Sequence, residues 1–275
     1  MMMRCKRLAK RRLAFLTAGV LAAGVLGGCS SQSGGKLVKV AICVSGTTPA
    51  ATAMREVFKP MVEEQTDGRY SVQLYESGVL GSEKAVYDYT RSGIVEMCVI
   101  GTSMWSETPV MAIPDFPFIF RDVEHARRCY QGELGGYIIQ KIEKEQPVRL
   151  LSWMPNGARA FSSNRPLKGL SDFKGQKLRM PNNPIHVKLA ESLGANVVIM
   201  DLGEVFTSLE QGVVDGQDNP LSTVRSEGWY EVQDYIYNTN HIIASLELFA
   251  GEEFWEHMDE ADQAVFAQAA PGQPV

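Results

Sequence analysis

The sequence predicts an α/β chain holding two parallel units, and three observations carry that prediction. Residues 177–220 read as strand, helix, strand, helix, strand with short connections. Neighbours joined through a helix pair parallel, whereas antiparallel neighbours need only a turn. The same alternation recurs over residues 38–100. Composition agrees: 275 residues, 45% hydrophobic and 21% charged, suit a soluble globular body with a sizeable core.

In the first half, residues 38–44 alternate as a strand, 49–65 form a helix, and 69–75 alternate again with Tyr70, Val72 and Leu74 on one side. Ser82 caps a helix that runs to Arg91 and stops at Gly93, and residues 94–100 make the third strand. Pro114 and Pro117, interleaved with Phe116, Phe118 and Phe120, give a rigid apolar connection expected to pack as core or hinge. Asp122 starts a helix, 134–145 form another, and 148–154 a strand.

The second half has explicit punctuation. Leu178, Arg179 and Met180 form a strand end stopped by Pro181. Asn183 caps the next helix with Pro184 at its first position; Leu189, Ala190 and Leu193 give it an apolar face, and Gly194 ends it. Residues 197–200 read as a buried strand. Asp201 and Glu204 approach a capping box, Val205, Phe206 and Leu209 form the following face, Gly212 closes the helix, and 213–217 form the third strand. Residues 245–250 read as a strand returning to the first unit, and 262–270 as a helix.

In open parallel sheets ligands bind outside the carboxyl ends of the strands. Arg179 at the end of one strand and Asn219 just past the end of another therefore face one cleft, a cation and an amide placed for an anionic ligand. From the residues alone, Arg179 has two readings: an internal ion pair or a ligand contact.

The first 28 residues carry Arg4, Lys6, Arg7, Lys10, Arg11 and Arg12, then an apolar run over 13–25 and small residues before Cys29. This reads as a lipoprotein signal cleaved before a lipidated Cys29, with a flexible tether to residue 36; an uncut signal anchor is the alternative. Removing the segment takes six of 27 basic residues and none of the 32 acidic ones, leaving net −11. A body this acidic has no general attraction for nucleic acid or anionic lipid, so an anion must be held by local charge in a cleft. Cys43, Cys98 and Cys129 then remain without metal-type or C-x-x-C spacing. Cys43 and Cys98 read as buried small hydrophobes, with a disulfide between them left open.

The four histidines, His125, His186, His241 and His257, stand singly with no metal-ligand spacing, which favours structural or surface roles and no metal. Nucleophile-elbow, phosphate-loop and dinucleotide motifs are absent from the sequence. Asp215 and Asp218 read as turn-formers that position Asn219 rather than as a catalytic pair.

Four spaced motifs, N-G-A-R-A-F-S-S-N-R-P (156–166), K-G-Q-K-L-R-M-P (174–181), G-E-V-F-T-S-L-E-Q-G-V-V-D-G-Q-D-N-P (203–220) and D-F-P-F-I-F-R-D (115–122), resemble the solute receptors of tripartite ATP-independent periplasmic (TRAP) transporters. The resemblance implies a two-domain periplasmic-binding-protein-like α/β fold with the ligand cleft between the domains. Domain I would be 37–156 with 245–275, and domain II 157–244; family members carry further helices beyond this point. It implies that Arg179 pairs with a substrate carboxylate, that Asn219 hydrogen-bonds the same group, and that Arg159 is a second arginine of the site. Leu202 as pocket wall, Glu83 and Cys43 complete the substrate-binding candidates.

Gly101 and Met104 stand where sialic-acid receptors carry Glu and Arg, which points to a smaller organic acid, C4-dicarboxylate-like or a sugar acid. The expected function is a lipid-anchored receptor on the outer face of the cytoplasmic membrane or in the periplasm. It would have no catalysis, no cofactor and no nucleic acid, and would serve a TRAP permease driven by an ion gradient. The alternatives are an ATP-driven (ABC-type) solute receptor, a ligand-sensing subunit and a secreted α/β enzyme.

Overall fold

Strand β1 (Lys36–Ile42) shows why the chain folds into layers. Val38, Val40 and Ile42 are buried with Met54, Phe58 and Phe266, while Ala41 and its neighbour Cys43 are buried with Tyr87, Cys98 and Phe249. Successive side chains of a strand point to opposite faces, so helices must cover both. The structure, a computed structural model, describes residues 35–106 and 108–272. The expected signal segment, Cys29 and the tether up to residue 34 lie outside the described residues. The described residues fall in one compact unit.

Thr48 caps α1 (Pro49–Ala53), which passes through a π segment, Met54–Phe58, into α2 (Lys59–Gln65). Pro60 has no N–H to offer the carbonyl one turn back, and the ladder widens there. Strand β2 (Tyr70–Tyr75), helix α3 (Glu83–Arg91, capped by Ser82) and strand β3 (Met97–Ile100) follow, and β1 pairs parallel with both β2 and β3. After α4 (Val123–Tyr130) and α5 (Glu133–Glu145) comes β4 (Val148–Ser163), 16 residues long.

The second parallel unit is β5 (Lys177–Met180), α6 (Pro184–Ser192), β6 (Asn196–Ile199), α7 (Val205–Glu210) and β7 (Gly216–Pro220), with β5 between β6 and β7. Helix α8 (Leu221–Ser226), short β8 (Tyr235–Tyr237), β9 (Ile243–Gly251), α9 (Glu252–Glu256) and α10 (Glu260–Ala269) complete the described chain. The strand order is β2-β1-β3-β9-β4-β7-β5-β6, with β8 on the side of β4. Two parallel blocks are thus joined through antiparallel β9 and β4.

The strand expected over 148–154 does not stop at Pro155-Asn156-Gly157, a turn-like triplet. It runs on to Ser163 because β9 pairs along it as far as Ala158, absorbing the triplet in a register shift between Pro155 and Gly157. The last strand of the second unit is Gly216–Pro220, not 213–217, so Asn219 lies inside it. Residues 197–200 were expected to be buried, but β6 ends the sheet: Asn196 and Ile199 are exposed and Val197 and Val198 half-buried.

Strand β3 starts at Met97, and Ile94 is exposed. Of the aromatic connection, Phe120 is core, whereas Phe116 and Phe118 are exposed. Cys43 and Cys98 are both buried free thiols, not a disulfide.

The contact of β7 with β4 is close because Gly216 lacks a side chain: a Cβ there would lie 2.1 Å from the Ser162 carbonyl oxygen. Gly216→Ala is expected to destabilise by about 1–3 kcal/mol through forced separation of the strands. Thermal unfolding should show a midpoint several degrees lower; an unchanged midpoint would contradict this packing.

Candidate functional site

Strands β5 and β7 are parallel neighbours with Arg179 in register with Gln217, and Gln217 and Asn219 share a face of β7. Their carboxyl ends open on a cavity lined by Arg179, Asn219, Arg159, Leu202 and Glu83, five of the six substrate-binding residues expected from sequence. Cys43 is not among them. It lines an adjoining cavity that shares Glu83, Asp201 and Leu202, and burial pushes its thiol pKa up.

Arg179 is buried, and its Nε and Nη2 both donate to the Met200 carbonyl oxygen at 3.0 and 2.7 Å. No carboxylate among the described residues lies within ion-pair distance of it, and its guanidinium is tied instead to a backbone carbonyl. Burial brings its pKa down to about 10, with Asp218 opposing the shift and Arg159 adding to it. A buried cation without a contact partner is costly in a dry site.

Arg159 is different. Its Nε donates to Asp218 Oδ2 at 2.7 Å, and its Nη2 donates to Asp218 Oδ1 at 3.1 Å and to the Asp218 carbonyl at 2.6 Å. Asp218 also meets His241 Nε2 at 3.2 Å and His186 Nδ1 at 3.4 Å. Burial alone would raise this carboxyl; Arg159 and the two histidines instead hold it well below the usual carboxylate range. Asp218 is therefore a fully buried strand residue and counter-ion, not the turn-former expected, and Arg159 enters the cavity with its charge already matched. Asp215 does sit in the turn, accepting the Lys177 N–H at 2.8 Å.

Asn219 Nδ2 donates to Gln217 Oε1 at 2.8 Å, Gln217 Nε2 to Ser162 Oγ at 2.9 Å, and Ser162 Oγ to Gln233 Oε1 at 2.8 Å. This buried relay fixes the amide and leaves its second N–H for the cavity. Glu83 Oε1 accepts the Gly101 N–H at 2.8 Å. Asp201, Asn156, Thr223 and Ser245 also line the cavity and were not foreseen. Asn156 stood in the N-G-A-R motif as a visible signal, but Ser245 lies on antiparallel β9, whose neighbours no local pattern discloses. A larger cavity of about 210 Å³, walled by Tyr130, Leu150, Trp153 and Ile243, is mostly apolar and has no buried cation.

Among the described residues no group of His, Cys, Asp or Glu could hold a metal, and no helix is long and apolar enough to cross a membrane.

The chain is 36% identical to a solute-binding protein of Roseobacter denitrificans over 74% of its length and 63% of that protein's. It spans 73% of a curated Haemophilus influenzae relative at 34% identity. Among solved structures it is similar to a TRAP periplasmic solute-binding protein of Haemophilus influenzae with bound L-gulonate. That match has TM-score 0.82 and 34% identity, covering 86% of this chain and 78% of that one. The Roseobacter denitrificans protein with bound L-galactonate gives TM-score 0.82 and 33% identity at the same coverages. The sequence model of bacterial extracellular solute-binding protein family 7 matches residues 40–272. With that match over most of its length and a fold shared with TRAP receptors, the chain belongs to bacterial extracellular solute-binding protein family 7.

Proposed function

We propose that this protein is the extracytoplasmic receptor of a TRAP transporter, capturing a sugar acid by its carboxylate and delivering it to a membrane permease. The observation that carries the reading is Arg179, buried with two N–H groups tied to Met200 and no carboxylate paired to it among the described residues. Arginine suits the task because its planar fork meets a carboxylate with two parallel bonds and stays charged when desolvated. Family membership favours a receptor over an enzyme and a TRAP partner over an ATP-driven one.

The cavity also narrows the ligand class. Arg159 is committed to Asp218, so Arg179 is the cation left for a ligand, while Glu83 and Asp201 bring two carboxylates into the same space. A second ligand carboxylate would meet these without a partner, whereas hydroxyls could donate to them and to Asn156, Thr223 and Ser245. The aldonates in the two solved relatives have this pattern, one carboxylate and a chain of hydroxyls. A monocarboxylic sugar acid is thus favoured over a C4-dicarboxylate.

The lobes of the receptor would be 37–156 with 245–275, and 157–244, closing on the ligand, with Cys29 as a lipid anchor outside the cytoplasmic membrane.

A thermal-shift panel tests the class. L-gulonate or L-galactonate at about one hundred times its dissociation constant should stabilise by roughly 2.7 kcal/mol. Succinate and a neutral alditol should give little, and a shift with succinate alone would reverse the assignment.

Calorimetry on variants tests the site. Arg179→Ala should weaken sugar-acid binding more than tenfold, since losing one partner of a buried charge pair costs roughly 2–5 kcal/mol. Arg179→Lys should recover part of this, and Asn219→Ala should lose about 1.5–3 kcal/mol. Arg179→Met should also melt no lower than wild type without ligand, because it removes a buried charge that has no carboxylate in contact. Arg159→Ala, which strands Asp218, should lose about 3–5 kcal/mol of folding stability. Equal effects of the two arginines on stability would show that both are structural.

A further inference from the structure

Behind the cavity lies a second charged cluster that the ligand reading does not use. Asn183 caps α6 by accepting the Ile185 N–H at 2.9 Å, yet its Nδ2 reaches out to Asp115 Oδ2 at 2.7 Å and to the Thr102 carbonyl at 3.0 Å. Trp105 Nε1 donates to the Asn182 carbonyl at 2.7 Å. The start of α6, in the second parallel block, is therefore docked on the segment that follows β3 in the first. One turn into α6, His186 is fully buried with Nε2 3.4 Å from Asp115 Oδ1 and Nδ1 3.4 Å from Asp218 Oδ2.

We propose that His186 is a positioning residue for ligand binding: a strut joining Asp115 of the first block to Asp218 of the second, so that Arg159 and the cavity wall are held only while the two blocks are clamped together. The charges support this. Asp218 is paired with the Arg159 guanidinium, buried Asp115 has His186 as its ion-pair neighbour, and two carboxylates beside one guanidinium balance when His186 carries a proton. Neutral imidazole donates a single hydrogen bond and must release one carboxylate.

The groups facing the ring from each packed element are Asp115, Asp218 and Arg159. His241 sits beyond Asp218, with its other nitrogen 2.6 Å from Thr239 Oγ1, and Glu247 faces Asp115 from β9. Burial and Arg159 press against protonation of His186, and the two carboxylates of Asp115 and Asp218, each 3.4 Å from a ring nitrogen, outweigh them, so its pKa is raised above the ordinary 6.5. A raised histidine contributes stability that is complete below the unfolded value and is lost as pH climbs through the folded value.

The inference rests on the receptor reading for its binding half only, and the experiment separates the two. Unfolding midpoints without ligand and L-gulonate affinity are measured from pH 5.5 to 9 for wild type, His186→Gln, Asp115→Asn and His241→Asn. Wild type is expected to lose stability above pH 6.5 and to bind L-gulonate at least threefold more weakly at the top of the range. His186→Gln should bind weakly with a flat profile in both measurements. Asp115→Asn should move the slope to lower pH, and His241→Asn should keep it.

If His186→Gln does not fold, the displaced slope of Asp115→Asn decides. A wild-type slope retained in His186→Gln or Asp115→Asn, or a flat wild-type stability profile, overturns the strut. Loss of the stability slope in His186→Gln with no L-gulonate binding by wild type at any pH supports the strut and refutes the proposed ligand.

Discussion

The ion pair between Arg159 and Asp218 is the interaction on which the rest of the site depends. It is almost wholly out of water, with two side-chain contacts and one to the Asp218 carbonyl, so neither charge can be left alone there without large cost. It ties β4 to β7 and fixes the backbone from which Asn219 emerges. By consuming one cation it also defines the other. Arg159 and Arg179 line the same cavity, and because the first is matched in direct contact the second stands out as the buried cation with no carboxylate in ion-pair contact among the described residues.

The sheet explains how such a site is held between two blocks. Two parallel blocks, each of the kind that binds ligands at its strand ends, meet at β9 and the long β4. Strand β4 pairs with β9 over its first part and with β7 over its last, with register shifts at Leu150/Ser152 and Pro155/Gly157. Irregularities of this type bend a strand and loosen its ladder locally. Asn156, inside the second shift, lines the cavity.

Polar groups buried around the cavity are chained rather than paired. The run from Asn219 through Gln217 and Ser162 to Gln233 gives each amide a defined orientation, which matters when one N–H must point at a ligand. On β9, Glu247 is buried, burial pushes its pKa well above the usual carboxylate range, and its Oε1 accepts a hydrogen bond from the Ser245 hydroxyl at 2.6 Å. Burial thus disfavours a further negative charge on β9 close to Glu83.

The sequence by itself determined the local frame: Ser82, Asp122 and Asn183 as caps, Gly93, Gly194 and Gly212 as left-handed stops, and the parallel crossovers that bring Arg179 and Asn219 together. These were legible because caps, stops and strand ends depend on contacts a few residues apart. Tertiary structure alone decided that β4 runs through its turn-like triplet and that β6 is a half-bare edge. It also decided that Arg159 finds Asp218 59 residues away and that Asn183 finds Asp115 68 residues away. Those outcomes follow from which strands and helices become neighbours, and sheet order is set by burial summed over the whole chain, which no short stretch encodes.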